Sequence, residues 1–391
     1  MANGTIKIVK IALFMAIEKQ RNHLPQIARL FLKLGFTAFG GPAVHIAMME
    51  DEAVKKHKWL SHEHFLDLIG ATNLIPGPNS TEMAMHIGHE RGGWKGLIVA
   101  GFCFIMPAVI ITAFFAILYK QYGTLPSVGP FIYGIKPAII SVIAALMISL
   151  GKKALKNVTL GIMGAIAAVL SIIGVNEIYV LFGAGFVGMA LYAIKARQIN
   201  ANAVLPFTLL NIQLSPVQVA GWKLFWIFLK VGSVLFGSGY VLFAFLDSEL
   251  VSTGMLTRQQ LADAIAVGQF TPGPVFSSAT FIGWQIAGLP GAIGATVGIF
   301  LPSFCFVAFL QPLIPFLRKS KYMSAFLDTV NMASVAIILA VCVNMGKESI
   351  TDWRTIAIAI AGFIVSFTFK KINSAFIVLG GAALGYILWL F

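Results

Sequence analysis

Two short motifs in this chain have the composition to bind an anion largely through backbone: Pro76-Gly77-Pro78 and, at the matching place in the second half, Pro272-Gly273-Pro274. Proline removes a backbone donor and clashes with the preceding turn. A helix over residues 64–75 must therefore stop here and restart over 79–88. In hydrocarbon the freed amides and carbonyls need protein partners, which confines such a break to a protein-lined cavity. The restarting helix opens with Asn79-Ser80-Thr81, residue types that cap helix N-termini. Its first amides and the positive end of its dipole suit a small anion. Asn73 precedes this break; Gln269 and Thr271 precede its counterpart, and Ser277 and Ser278 follow it. A plain proline kink is the alternative, and two kinks at equivalent positions favour the site.

A second break is signalled by Phe39-Gly40-Gly41-Pro42 and echoed by Phe236-Gly237-Ser238-Gly239. Glycine lets backbone approach a ligand but equally lets helices pack closely in a membrane. Lys33 and Lys230 each stand six residues before a Phe-Gly break, inside a repeated apolar helix. A charge placed there is costly and points to function, here as countercharge to a dianion, unless it snorkels to the interface. Glu82 and His86 lie four apart on the helix after the first break and share a face. An acid and a histidine beside a cavity make a candidate proton relay, with a structural hydrogen bond as the alternative. All seven histidines precede residue 90 without a metal-ligand spacing, so no metal site is expected. No nucleotide-binding GxxxxGK[ST] motif and no catalytic triad or paired carboxylates are found, so no enzyme activity or cofactor is expected.

The elements that must position these residues are set by solvent. Of 391 residues 58% are hydrophobic and 11% charged, with mean hydropathy +0.86. Such a chain cannot cover a water-facing surface. Apolar windows close to the ~20 residues needed to cross a bilayer fall at 94–119, 128–150, 158–173, 178–194, 222–246, 291–310, 325–345, 355–369 and 375–391. The excess charge of +13 sits in loops such as Lys152-Lys153, where it meets anionic headgroups rather than nucleic acid. Cys103, Cys305 and Cys342 lie within apolar runs and read as packing residues.

Landmarks recur at a nearly constant offset. Phe31-Leu32-Lys33-Leu34-Gly35 returns as Phe228-Leu229-Lys230-Val231-Gly232, and Glu52, Asp67, Gly88, Gly96 and Pro107 as Glu249, Asp263, Gly283, Gly291 and Pro302. The expected fold is an all-α polytopic membrane protein of two homologous, inverted repeats, each of five to six helical segments broken at Gly/Pro motifs. Residues 1–29 form an interfacial helix, 30–195 the first repeat, 196–221 a polar linker and 222–391 the second repeat. Six crossings per half would make the repeats parallel, whereas the Lys/Arg distribution prefers them inverted. At least one segment is then miscounted, and the two broken ones are the candidates for re-entrant hairpins. Internal repeats with helix breaks are characteristic of secondary transporters.

The motifs Phe36-Thr37-Ala38-Phe39-Gly40-Gly41-Pro42 and Asn73-Leu74-Ile75-Pro76-Gly77-Pro78, with the echo Gln269-Phe270-Thr271-Pro272-Gly273-Pro274, resemble the chromate ion transporter family in its long, two-domain form. The resemblance runs from about Leu30 to the C-terminus. It implies efflux of chromate across the bacterial cytoplasmic (inner) membrane, with sulfate as the related dianion, and halves of opposite orientation. The resulting expectation is a multi-pass, secondary active transporter of a small oxyanion, coupled to protons, working as a monomer or a homodimer. A sulfate-like transporter, an anion channel and an enzyme acting on lipid phosphates are the alternatives.

Overall fold

The computed structural model describes residues 23–39, 41–123, 125, 129–196, 220–236, 241–310, 320–369, 372 and 374–390. The expected helix over 1–29 falls largely outside them, as do Gly40, Gly237 and nearly all of the linker. Fourteen α-helices, seven per half, make up the described residues. Half one runs α1 (Leu24–Thr37), α2 (Pro42–Glu50), a π-helical turn (Asp51–Lys56), α3 (His62–Thr72), α4 (Asn79–Tyr122), α5 (Gly129–Ala154), α6 (Val158–Ile172) and α7 (Glu177–Lys195). Half two repeats the order: α8 (Ala220–Val234), α9 (Val241–Leu246), a π-helical turn (Asp247–Val251), α10 (Arg258–Phe270), a 3-10 turn (Val275–Ser277), α11 (Ser278–Leu310), α12 (Lys321–Ser349), α13 (Trp353–Thr368) and α14 (Ser374–Trp389).

Local chemistry starts these helices. Ser61, Asn157, Asn176 and Ser320 each accept a first-turn amide, and Thr257 with Gln260 and Asp352 with Thr355 form reciprocal capping boxes. Pro42 occupies a first-turn position of α2, where its missing N–H costs nothing. Both long helices fold back near one end: Gly93 (φ +59°) turns α4, and Gly288 (φ +61°) turns α11. Each thus has a short arm (79–91, 278–286) and a long arm (94–122, 289–310). The arms touch at glycines, where backbone meets backbone: a Cβ on Gly96 would lie 2.0 Å from the Gly88 carbonyl oxygen.

Both broken segments of half one return to the face they left. The Arg91 guanidinium lies 5.4 Å from the Trp59 ring centre, and His64 Nε2 is 3.4 Å from Glu90 Oε2. The start of α3 and the end of the short arm of α4 are therefore level. Leu24 and Ile27, which open α1, lie against Gly92 at that same level. So α1–α2 and α3–short arm are two re-entrant hairpins, followed by four crossing helices. The supposition of six crossings per half gives way to this count, because chain that turns at a Gly/Pro tip need not cross. Lys55, Lys56 and Lys58 consequently share a face with Arg91, Lys95 and Lys152 instead of standing opposite them.

The halves are inverted. Trp94 meets Phe309, with ring centres 6.2 Å apart, and Gly101 lies against Phe304, so the long arms of α4 and α11 run antiparallel. Lys156 pairs with Asp328 at one face, and Tyr133 donates to Asp352 at the other. The halves are also interlocked: α5 packs against α13 and α14, while α12 packs against α6 and α7. Among the described residues five helices are long and apolar enough to cross a membrane, and three shorter apolar ones accompany them. Ile98, Phe102, Ile110 and Phe114 on α4, and Ile356, Ile360 and Ile364 on α13, are exposed at helical spacing. Stripes of that size on so many helices are tolerable only against lipid. The protein is a multi-pass membrane protein.

Candidate functional site

The tips of the hairpins meet across the repeat interface. Gly77 N–H donates to the Leu235 carbonyl, 2.8 Å, and Gly273 N–H donates to the Ala38 carbonyl, 2.9 Å. Ala38 and Leu235 each follow the last residue of α1 and α8, so these carbonyls have left their own helices. The two bonds are equivalents of one another under the repeat. Each Pro-Gly-Pro tip is thus held by the other half's first hairpin, and the freed backbone groups are paired as a buried break requires. Gly77 (φ +135°) and Gly273 (φ +87°) both adopt backbone open to glycine.

Pro76, Gly77 and Pro78 are buried, as are Pro272, Gly273 and Pro274. Around the first tip, Asn73 is exposed and receives a hydrogen bond from Asn79 Nδ2, 2.9 Å. Ser80 is buried on the first turn of α4. The cap position is Pro78, and no side chain caps the helix. Capping by Asn79, Ser80 or Thr81 is therefore corrected: Asn79 ties the two arms together, and the helix start carries no side-chain cap. Around the second tip, Gln269, Thr271 and Ser277 are buried. The Thr271 hydroxyl donates to the Val267 carbonyl of its own helix, while Ser277 Oγ accepts from Thr112 of half one, 3.2 Å. Gly41 opens α2 in extended backbone with φ −80°.

Glu82 is fully buried one turn into α4, and its Oε1 accepts from Ser303 of half two at 3.3 Å. His86 is equally buried, but no hydrogen bond joins it to Glu82, and neither ring nitrogen has a hydrogen-bond partner among the described residues. The expected Glu82–His86 pair is thus replaced by a Glu82–Ser303 pair across the repeats. Ser303 and Thr112 were missed in the sequence; the available signal was a hydroxyl within an apolar span, near the repeated Pro107 and Pro302.

Lys33 and Lys230 stand apart from the tips. Lys33 Nζ lies 2.8 Å from Glu52 Oε1 and Lys230 Nζ 2.7 Å from Glu249 Oε1, each tying α1 or α8 to the π-helical turn of its own hairpin. Both lysine side chains are about half exposed, at 56% and 49%. Each charge is matched by a carboxylate on its own hairpin, which argues against their expected role as countercharges for an anion. Lys33→Met and Lys230→Met should leave anion affinity within about twofold of the parent, as expected for exposed ion pairs. Glu52 keeps Lys56 at 2.9 Å, whereas Lys230 is the one cation paired with Glu249 among the described residues. Lys230→Met should therefore lower the thermal unfolding temperature more than Lys33→Met; an anion affinity that collapses in either variant would restore the countercharge role.

Inverted repeats whose broken helices meet tip to tip inside a helical bundle are the architecture of secondary transporters. The sequence profile of the chromate transporter family matches residues 25–189 and again 222–386. The chain belongs to that family. It is 28% identical over 375 residues to the chromate transport protein of Cupriavidus metallidurans, covering 93% of both chains. It is likewise 28% identical to a probable chromate transport protein of Synechococcus elongatus, over 94% of this chain and 96% of the relative. The chromate transport protein of Pseudomonas aeruginosa is 28% identical over 93% of this chain and 92% of its own. No solved structure matches the chain.

Proposed function

We propose that this protein carries chromate, a tetrahedral dianion, outward across the bacterial cytoplasmic membrane in exchange for protons. The observation that supports the reading is the reciprocal pair of tip bonds, Gly77 to Leu235 and Gly273 to Ala38, which holds both Pro-Gly-Pro tips, each just before a helix start, at the repeat interface. Each helix N-terminus is equivalent to about half a positive charge, so two together offset roughly one charge of the anion. Amides of Asn73 and Asn79 and hydroxyls of Ser80 and Ser277 replace part of its lost hydration. The names of the similar proteins support chromate over other oxyanions. Sulfate, of the same shape and charge, is the expected competitor.

The face where the half-one hairpins open carries Lys55, Lys56, Lys58, Arg91, Lys95 and Lys152, which makes it the cytoplasmic side by the positive-inside rule. Glu82, on a hairpin opening to that side, is the carboxyl placed to release protons inward. Purified protein in liposomes should accumulate radiolabelled chromate against its gradient when an opposing proton gradient is imposed. Glu82→Gln should lower that accumulation on the order of tenfold. Flux that follows the chromate gradient alone would mark a channel, and turnover of a lipid phosphate in detergent an enzyme. No movement of chromate or sulfate would end the oxyanion reading.

A further inference from the structure

The second half contains its own buried carboxyl, on the other side of the molecule. Asp263, in the middle of α10, is 4% exposed, and its Oδ2 accepts from the Tyr119 hydroxyl at 2.6 Å. Tyr119 belongs to the long arm of α4, so this bond also joins the repeats. Next to Asp263, Ala262 lines a cavity of about 90 Å³ with Lys136, Arg258, Gln259, Met345 and Glu348. That cavity lies near the mouth of the half-two hairpin, on the lysine-poor face. Asp67, the repeat equivalent of Asp263, is exposed, and Glu82 has Ser278 as its equivalent. Each half thus buries one carboxyl on its second hairpin, and the two lie on opposite sides of the tips.

We propose that Asp263 is a second proton site, loaded from the external solution through this cavity, and that Tyr119 is the latch that reports its state. The direction assigned to it rests on the proton-exchange reading above. Ionised, Asp263 accepts a charge-assisted hydrogen bond from Tyr119, about twice as strong as a neutral one. Transfer of a proton from hydronium to the carboxylate yields a neutral acid and water. It weakens the Tyr119–Asp263 bond that ties α10 to the long arm of α4, and the half-two hairpin is released to move.

The groups that set this titration are few. Lys136 of α5 is within electrostatic reach. Arg258, on the same helix, is held by Asp247 of the π-helical turn and Glu348 of α12; Glu249 of that turn pairs with Lys230. Of the other helices packed on α10, α9 and the 3-10 turn bring no titratable side chain, α11 brings Cys305 and α14 brings Tyr386. Asp263 is thus a buried acid one residue from the cavity lining, whereas Glu348, the acid that lines the cavity itself, is already paired with Arg258.

Infrared difference spectra of the full-length protein in liposomes, with acid applied to the lysine-poor face, test the site directly. A protonated-carboxyl band should grow in the parent and be missing from Asp263→Asn, and proton-driven chromate accumulation should fall on the order of tenfold while chromate exchange survives. Tyr119→Phe, which keeps the carboxyl, should shift the pH midpoint of the band; thermal unfolding checks that both variants are folded. The band persisting in Asp263→Asn, or a folded Asp263→Asn with the parent's pH profile, would overturn the proposal. Should Asp263→Asn fail to fold, an unmoved midpoint in Tyr119→Phe would overturn it as well. An external band that titrates and vanishes in Asp263→Asn, in a parent that moves no chromate, would refute the substrate and uphold the proton site.

Discussion

Gly77→Val is expected to abolish chromate transport, with a loss of initial rate on the order of a hundredfold or more. At φ +135° a side chain is strained at this position, at a cost of about 1–3 kcal/mol. Space adds to the cost. A Cβ on Gly77 would lie 2.2 Å from Glu82 Oε1 and 2.5 Å from Ser303 Oγ, so both polar groups must leave. The same shift pulls Gly77 N–H from the Leu235 carbonyl, and a displacement of about 1 Å at a reacting or binding centre costs on the order of a hundredfold. The second tip is more forgiving. On Gly273 the first neighbours of a Cβ are Ala108 Cβ at 2.9 Å and the Gly35 carbonyl oxygen at 3.3 Å. Gly273→Ala should therefore keep more transport than Gly77→Ala. Initial rates in liposomes, read beside thermal unfolding, decide this, and near-parental rates in Gly77→Val would remove the tips from the transport path.

The largest effect on folding is expected at the hairpin glycines. A Cβ on Gly96 falls 2.0 Å from the Gly88 carbonyl oxygen, and one on Gly291 falls 2.1 Å from that of Gly283. Backbone on both sides leaves nothing to rotate away, so even alanine must pry the arms apart. Overpacking of this kind costs about 1–3 kcal/mol and sometimes more, and a larger residue should prevent the fold. Gly96→Leu and Gly291→Leu should each fail to yield monodisperse protein in detergent, with the alanine variants folded but less heat-stable. Gly346→Ala is the matched control, because nothing lies within 4 Å of its Cβ position. Gly346 recurs in the repeat as Gly151, just as Gly96 recurs as Gly291, so recurrence alone does not predict the difference; equal heat stability for Gly96→Ala and Gly346→Ala would contradict the packing argument.

Backbone-level features were legible in the sequence because proline and glycine act where they stand. Both breaks fall where Pro-Gly-Pro and Phe-Gly mark them, whereas the turns at Gly93 and Gly288 came only from the structure. Inversion was legible in the charge distribution and not in the crossing number, since four crossings per half are even just as six are; the antiparallel contact of α4 with α11 establishes it. Side-chain partnerships were not legible. Lys33 and Glu52 lie 19 residues apart, as do Lys230 and Glu249, and nothing local says that the chain doubles back to join them. Glu82–Ser303, Thr112–Ser277 and Tyr119–Asp263 join opposite halves. Exchange of helices between halves leaves no periodicity in either, so α5 against α14 and α12 against α7 could come only from the packed structure.

The two tip bonds also bear on descent. A single half has a lone donor at Gly77 and a lone acceptor at Ala38, and cannot join them to each other; in hydrocarbon both would go unanswered. A second copy of the same ancestral chain, inserted upside down, answers both with one self-complementary contact. A twofold pair of opposed copies would satisfy both groups without a fused chain, and gene fusion removes the need for one sequence to serve in both orientations. Once fused, the copies are free to specialise. Glu82 now stands in one where Ser278 stands in the other, and Asp263 is buried where Asp67 is exposed. A different buried carboxyl in each copy is something that an identical pair could not have.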